Sequence, residues 1–257
     1  MITVKELYDR LDAVIPKELS CEWDNDGLML SPNTGAEVRR AVVALDVTDD
    51  TVSFARKVGA ELIVTHHPLI FKPLKQLVSD KLVSDKLVVL IKSGISVFSF
   101  HTRLDALDTG VNSALAASLL LKNVRPFDCE LGLIGEAHLD MTVNEYADFV
   151  CRSLGTDSVR YIPSDKHVKK VAVIGGAGKD YIFDAIKSGA DVFITGEAGY
   201  HGKCDAADCG MYVIEAGHYE TENPVCGTLK ILIEQVCPEI DVTLFNSGRI
   251  CTHHCIK

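Results

Sequence analysis

Apolar and polar positions along the chain fall into two alternating periods, one helical and one extended. Val4, Leu7, Leu11, Val14 and Ile15 recur at helical spacing behind Thr3 and Glu6, which have capping-box spacing, so the chain is expected to open on a helix that Pro16 ends. A strand over 38–47 follows, carried by the apolar run Ala41, Val42, Val43, Ala44 and Leu45, and then a helix over 48–58 with Val52, Phe54, Ala55 and Val58 inward. Leu62, Ile63 and Val64 have the unbroken apolar character of a strand covered on both faces. Together these make a βαβ unit with a parallel strand pair. The pattern continues with a helix over 81–92, a strand over 95–100 and a helix from about 111 to 121. Residues 126–135 carry no period and mark the expected boundary between two halves. Beyond them come a helix over 144–154, a strand over 171–174, a helix over 180–188 and strands over 191–195 and 211–214. A helix from about 224 to 236 and a strand over 242–245 close the pattern. The expected fold class is α/β, in halves 1–125 and 126–245, with 246–257 a candidate to pack on the first half.

The chemistry sits where strands end. The run through Val64 and Thr65 leads into His66, His67 and Pro68, and the carboxyl ends of strands in α/β proteins deliver functional groups. Adjacent side chains on an extended segment point to opposite sides, so the pair suits two metal ions, or one metal and one substrate group, better than a single ion. The upstream acidic turn Glu22, Trp23, Asp24, Asn25, Asp26 and Gly27 holds the only tryptophan and reads as a capped loop with that ring as a core anchor. Gly175, Gly176, Ala177 and Gly178 form a strand-to-helix turn that could cradle phosphate or simply turn tightly; it matches neither the P-loop nor the dinucleotide fingerprint.

The chain also aligns with itself. Ala41 to Ala44 fall on Val171 to Ile174, and Gly59 to Thr65 fall on Gly189 to Thr195, at one constant offset without gaps. At a slightly different offset, the apolar run ending in Phe98 and leading to His101 falls on the run ending in Ile214 and leading to His218. Each histidine has an acid four residues on: Asp105 after His101, Glu222 after His218. If duplicated halves pack about a pseudo-dyad, their strand ends supply His66, His67, Asp105, His218 and Glu222 to one cleft, with His101 as a possible wall. Imidazole and carboxylate ligands suit Zn, Fe, Mn or Ni, and the expected cofactor is two divalent transition-metal ions per chain.

These residues also carry a resemblance to the NIF-three-like dinuclear metal-centre proteins, the GTP cyclohydrolase 1 type 2 homologs. It spans essentially the whole chain: Trp23-Asp24-Asn25 with Gly27-Leu28, Thr65-His66-His67-Pro68, His101-Thr102 with Leu104-Asp105, Thr195-Gly196-Glu197 with His201, and Gly217-His218 with Glu222. The resemblance implies two similar, intertwined three-layer α/β/α domains related by internal duplication, with the metals between them. It also implies a toroidal hexamer and metal-ligand roles for His66, His67, Asp105, His218 and Glu222. The tail Cys251, Thr252, His253, His254 and Cys255 lies outside the pattern and is either an extra metal site or an exposed end.

Composition narrows the partners. A formal charge of −10 argues against nonspecific binding to nucleic acid or anionic lipid. No apolar run approaches a membrane span, the amino terminus lacks a secretory pattern, and the nine cysteines are scattered without a C-x-x-C pair. A cytoplasmic protein with reduced thiols is expected. Two functions compete. One is a metal-dependent hydrolase of a nucleotide or another small phosphorylated or cyclic-amide substrate, with Glu197 and His201 as proton shuttles. The other is a noncatalytic metal-binding adaptor or regulatory protein. Five ligands for two ions leave coordination positions open, which favours hydrolysis.

Overall fold

The computed structural model describes residues 1–78, 82–127, 129 and 131–248. In chain order its elements are β1 (Ile2–Thr3), α1 (Val4–Val14), β2 (Gly27–Leu30), β3 (Glu37–Val38), β4 (Arg40–Ala44), α2 (Asp49–Val58), β5 (Leu62–Thr65), α3 (Leu82–Ser93), β6 (Ser96–Ser99), α4 (Thr102–Ala106) and α5 (Val111–Ser118). There follow β7 (Lys122–Pro126), β8 (Leu133–Thr142), α6 (Val143–Leu154), β9 (Arg160–Tyr161), β10 (His167–Ile174), α7 (Ile182–Lys187), β11 (Val192–Thr195), α8 (Tyr200–Asp208), β12 (Tyr212–Glu215), α9 (His218–Glu222), α10 (Val225–Val236) and β13 (Asp241–Leu244). Thr3 caps α1 and Thr142 caps α6, each through a reciprocal box with the glutamate three residues on, so both helices start where the sequence places an orphan-donor acceptor.

Met1–Leu107 and Val225–Gly248 form one compact unit, and Asp108–Pro224 belong to a second. In the first, a five-stranded sheet runs in the order β13-β4-β5-β6-β2, parallel except for β2. Val42, Ile63 and Val97 point to one face and pack with Val52 and Ala55 of α2 and Leu87 and Leu90 of α3. The opposite face takes α1, whose Tyr8 meets Phe98 edge-on at 5.3 Å, and α10, which packs on β4, β13 and α1. The second unit has a six-stranded sheet, β7-β8-β10-β11-β12-β9. Alternate residues of its central strands divide between two cores. Val171, Val173, Val192, Ile194 and Ile214 face α5 and α6, while Ala172, Ile174, Phe193 and Val213 face α7 and α8. Each unit is thus a three-layer α/β/α sandwich, which is why its central strands are apolar at every position.

The central triples match in register. Ala41 pairs with Leu62 and Ala44 with Thr65; at the offset read from the sequence, Val171 pairs with Val192 and Ile174 with Thr195. Thr65 pairs on with Ser99, and Thr195 with Glu215. The segments that follow each triple therefore leave one sheet edge side by side.

Three expectations change. The stretch 126–135 is not irregular throughout, because β8 begins at Leu133 and bonds antiparallel to both β7 and β10. The last helix and strand do not belong with 126–245: β13 pairs in parallel with β4, so the chain leaves the first unit after Leu107 and returns to it at Val225. Helix α8, absent from the sequence reading, fills the α7 side of the second sheet with buried Ala206. Residues 246–248 continue the first unit, whereas the Cys251 to Cys255 motif lies outside the described residues. Among the described residues, no helix is long and apolar enough to cross a membrane.

Candidate metal centre

The parallel order β4-β5-β6 brings Asp46, His66, His67, His101 and Asp105 to one edge of the first unit. The ladder continues past the strands, with His67 N donating to Leu45 O and Phe100 N to Thr65 O, and this fixes where the histidines begin. His66 is fully buried, and its Nδ1 lies 3.0 Å from the carbonyl oxygen of Phe100. A carbonyl only accepts, so Nδ1 carries the proton and Nε2 is the lone-pair nitrogen. The same logic holds for His67, whose Nδ1 donates to Asp46 Oδ1 at 2.9 Å, and for His101, whose Nδ1 donates to Asp24 Oδ1 at 2.9 Å. Three imidazoles thus converge with one tautomer each, their ring centroids 4.8 to 5.7 Å apart and their ligand atoms within 4.8 Å of one another. Asp105, in the short helix α4 that His101 caps, places Oδ1 3.6 Å from His66 Nε2. Orientation of a histidine by a carboxylate or carbonyl on its second nitrogen is the usual support for a metal ligand, and this donor set fits a borderline transition metal.

Asp24 accepts from the amide of Asn25 at 2.8 Å and from His101 and Thr102. His101 Nδ1 binds one oxygen, and Thr102 binds the other through its amide at 3.0 Å and its hydroxyl at 2.7 Å. Burial would raise its pKa, but these bonds outweigh burial and leave the carboxyl below its ordinary value, so it stays an anionic acceptor. Behind it, Asp26 accepts from Arg103, Lys17 and Ser20, and fully buried Arg103 also reaches Asp12 and the carbonyl of Ile15. Gly27 closes the turn at φ +107, and a Cβ there would stand 2.7 Å from the Tyr8 hydroxyl and 2.9 Å from an Arg103 nitrogen. The turn is therefore a brace for His101 rather than a core anchor: Trp23 is 65% exposed.

In the second unit, β10-β11-β12 delivers the 175–178 loop, Glu197 and His218 to the corresponding edge. His218 is the first residue of α9, behind Gly217, with Glu222 one turn on; its Nε2 lies 3.1 Å from a Glu222 oxygen, and its Nδ1 3.4 Å from Glu197 Oε1. The glycine loop is closed to phosphate at three of its amides, because Asn112, Thr221 and Thr195 side chains accept from Gly175, Gly176 and Gly178. Its use is close approach. Gly176 sits at φ +66, and a Cβ there would overlap Glu222 Oε1 and come within 3.3 Å of His218 Nε2. Any side chain at this position would therefore displace the Glu222 carboxylate. Glu215 fixes the neighbouring loop by accepting from the amides of Ala198 and Gly199 and pairing with Lys203. His201 is exposed on α8, its ring edge-on to Tyr200. Sequence reasoning missed Asp24 and Asp46 as orienting groups and gave His101 only a wall position; the strand-end place of Asp46, one residue past Leu45, was the available signal.

Comparison with known proteins covers nearly the whole chain. The family model described as Duf34/NIF3 (NGG1p interacting factor 3) matches residues 2–249. A Clostridium perfringens protein named GTP cyclohydrolase 1 type 2 homolog is 33% identical over 230 residues, covering 86% of this chain and 87% of its own. A Clostridium acetobutylicum protein of the same name is 34% identical over 232 residues, covering 87% and 86%. The crystal structure of Staphylococcus aureus protein SA1388 is similar throughout, with a TM-score of 0.90 at 27% identity and 99% of each chain covered.

Proposed function

The chain belongs to the Duf34/NIF3 (NGG1p interacting factor 3) family, and from that premise we propose that it is a dinuclear metal-dependent hydrolase of a nucleotide or other small phosphorylated or cyclic-amide substrate. The observation that carries the reading is the set of three converging imidazoles, each held through Nδ1 by an acceptor, with Asp105 beside them. The duplicated sequence pattern and the family resemblance assign His66, His67, Asp105, His218 and Glu222 to one pair of divalent ions. Such ions supply Lewis acidity and lower the pKa of water when bound. The chain's own work is to hold the ligands: Phe100 O, Asp46 and Asp24 fix the tautomers, and Gly176 leaves room for Glu222. Glu197, two-thirds exposed and beside His218, is the proton shuttle of this proposal, with His201 as the second candidate. The names of the curated relatives point the substrate class toward nucleotides. A cytoplasmic homohexamer is part of the same proposal and rests on the resemblance.

The test is a screen of metal-loaded and metal-stripped protein against nucleotides, phosphoesters and cyclic amides, beside Glu197→Gln in the same preparations. The reading expects metal-dependent turnover that falls by roughly 10²–10⁴-fold in the variant, the scale for loss of a general acid or base. Full metal occupancy without turnover on any member would return the noncatalytic adaptor.

A further inference from the structure

Trp23, Phe71 and His101 make an arrangement that neither the metal ligands nor the core accounts for. Their ring centroids stand 6.0 to 6.2 Å apart in all three pairs, and the interplanar angles are 76° for Trp23 with Phe71, 78° for Trp23 with His101 and 85° for Phe71 with His101. Three mutually near-perpendicular rings are the walls of a corner. The first two are open to solvent, Trp23 at 65% and Phe71 at 46% exposed, although large aromatic rings ordinarily bury their faces.

The corner is also rigid. Asp24, next to Trp23, is fixed by His101 and Thr102, the amide of Cys21 donates to Thr102 Oγ1, and Asn25 donates through its side chain to the carbonyl of Ile70, tying the tryptophan turn to the phenylalanine loop. An exposed indole on a backbone pinned from both sides is preorganised for a ligand, because ordering it on binding costs little further entropy. The size of the patch sets the class of ligand. One indole and one phenyl ring, ending at a polar imidazole cluster, match a single flat heterocycle.

We propose that Trp23 and Phe71 hold a flat heteroaromatic ring of nucleobase type, stacked face-on to one wall and met edge-on by the other, with His101 closing the corner on the side of the metal ligands. The inference rests on the reading of this edge as a small-molecule site, and it names the part of the substrate that the first unit recognises.

Trp23 is the only tryptophan, so emission excited at the red edge of the indole band, where the seven tyrosines do not absorb, reports on this corner. The probes are guanosine and adenosine 5′-monophosphates against ribose 5-phosphate, titrated into metal-stripped and zinc-loaded protein. Both nucleotides are expected to quench the emission saturably, and ribose 5-phosphate to leave it unchanged. Phe71→Ala, a half-exposed side chain whose removal is checked by circular dichroism, is expected to weaken the nucleotides by about fivefold or more. Equilibrium dialysis extends the comparison to Trp23→Ala, which has no signal of its own. No saturable quenching by either nucleotide, or equal affinity in Phe71→Ala, would overturn the proposal. So would blue-shifted emission that moves with protein concentration without ligand, since a second copy would then cover the rings. Binding is read without turnover, so loss of the hydrolase reading leaves this result intact. Turnover of ring-free phosphoesters without quenching would overturn this inference and leave that reading standing.

Discussion

Gly176→Ala adds one methyl group beside the proposed ligands and leaves the ligand residues themselves unchanged. Two effects follow from the structure. The first is backbone strain: at φ +66 an alanine occupies the left-handed region at a cost of roughly 1–2 kcal/mol. The second is local, since the new Cβ would occupy the space of Glu222 Oε1 and approach His218 Nε2, so the carboxylate must move. Gly189→Ala separates the two. Gly189 has φ +76 with nothing within 4 Å of its Cβ, so it carries the strain without the clash. Chemical denaturation of the metal-stripped proteins should place Gly189→Ala below the parent by ~1–2 kcal/mol, and Gly176→Ala at least as far below because the clash adds to the strain. Metal titration should then distinguish them: Gly189→Ala binds as the parent does, whereas Gly176→Ala binds about 10–100-fold more weakly, the scale for disturbing what orients a ligand. Parental metal affinity in a folded Gly176→Ala would refute the assignment of Glu222 and His218 as ligands.

Asp46→Ala removes the acceptor that sets the His67 tautomer and should weaken metal binding by roughly 10–100-fold with little loss of fold, measured by competition with a chromophoric chelator. Asp105→Ala should lose both ions if its carboxylate bridges them, and elemental analysis showing full occupancy would exclude the bridge. Arg103→Met leaves the Asp26 carboxylate buried without its guanidinium and should cost about 3–5 kcal/mol in the first unit, read by urea unfolding. Burial raises the Asp26 pKa, but the bonds from Lys17 and Arg103 outweigh it and hold the folded value below the ordinary 3.8. Its stabilisation is therefore present above that pH and lost as pH falls through the lower folded value, so the acid limb of the stability curve should flatten in Asp26→Asn.

What the sequence made legible was periodic or repeated. Leu62 to Val64 are apolar at every position because helices cover both faces, and a run of that kind ending in two histidines marks a strand edge with chemistry. The self-alignment was legible because the two aligned stretches form central strands paired in matching register. Strand β8 was legible only in part: Glu136, Ala137, His138, Leu139, Asp140 and Met141 alternate polar and apolar, but where the strand begins is set by its partners on both sides. The return of β13 to the first sheet was hidden, since no local pattern says which parallel edge a last strand joins. The bracing acids fell between these cases: Asp24 and His101 are far apart in sequence, and only the fold makes them donor and acceptor. Gly176 was visible as a glycine in a turn, but its reason, the carboxylate above it, requires coordinates.

The central claim is that this chain is built to hold a pair of transition-metal ions, and metal stoichiometry tests it most directly. Protein prepared without chelator, stripped, and reconstituted separately with Zn, Mn or Fe should carry close to two ions per chain by elemental analysis. A stoichiometry near zero after reconstitution with all three would contradict the claim.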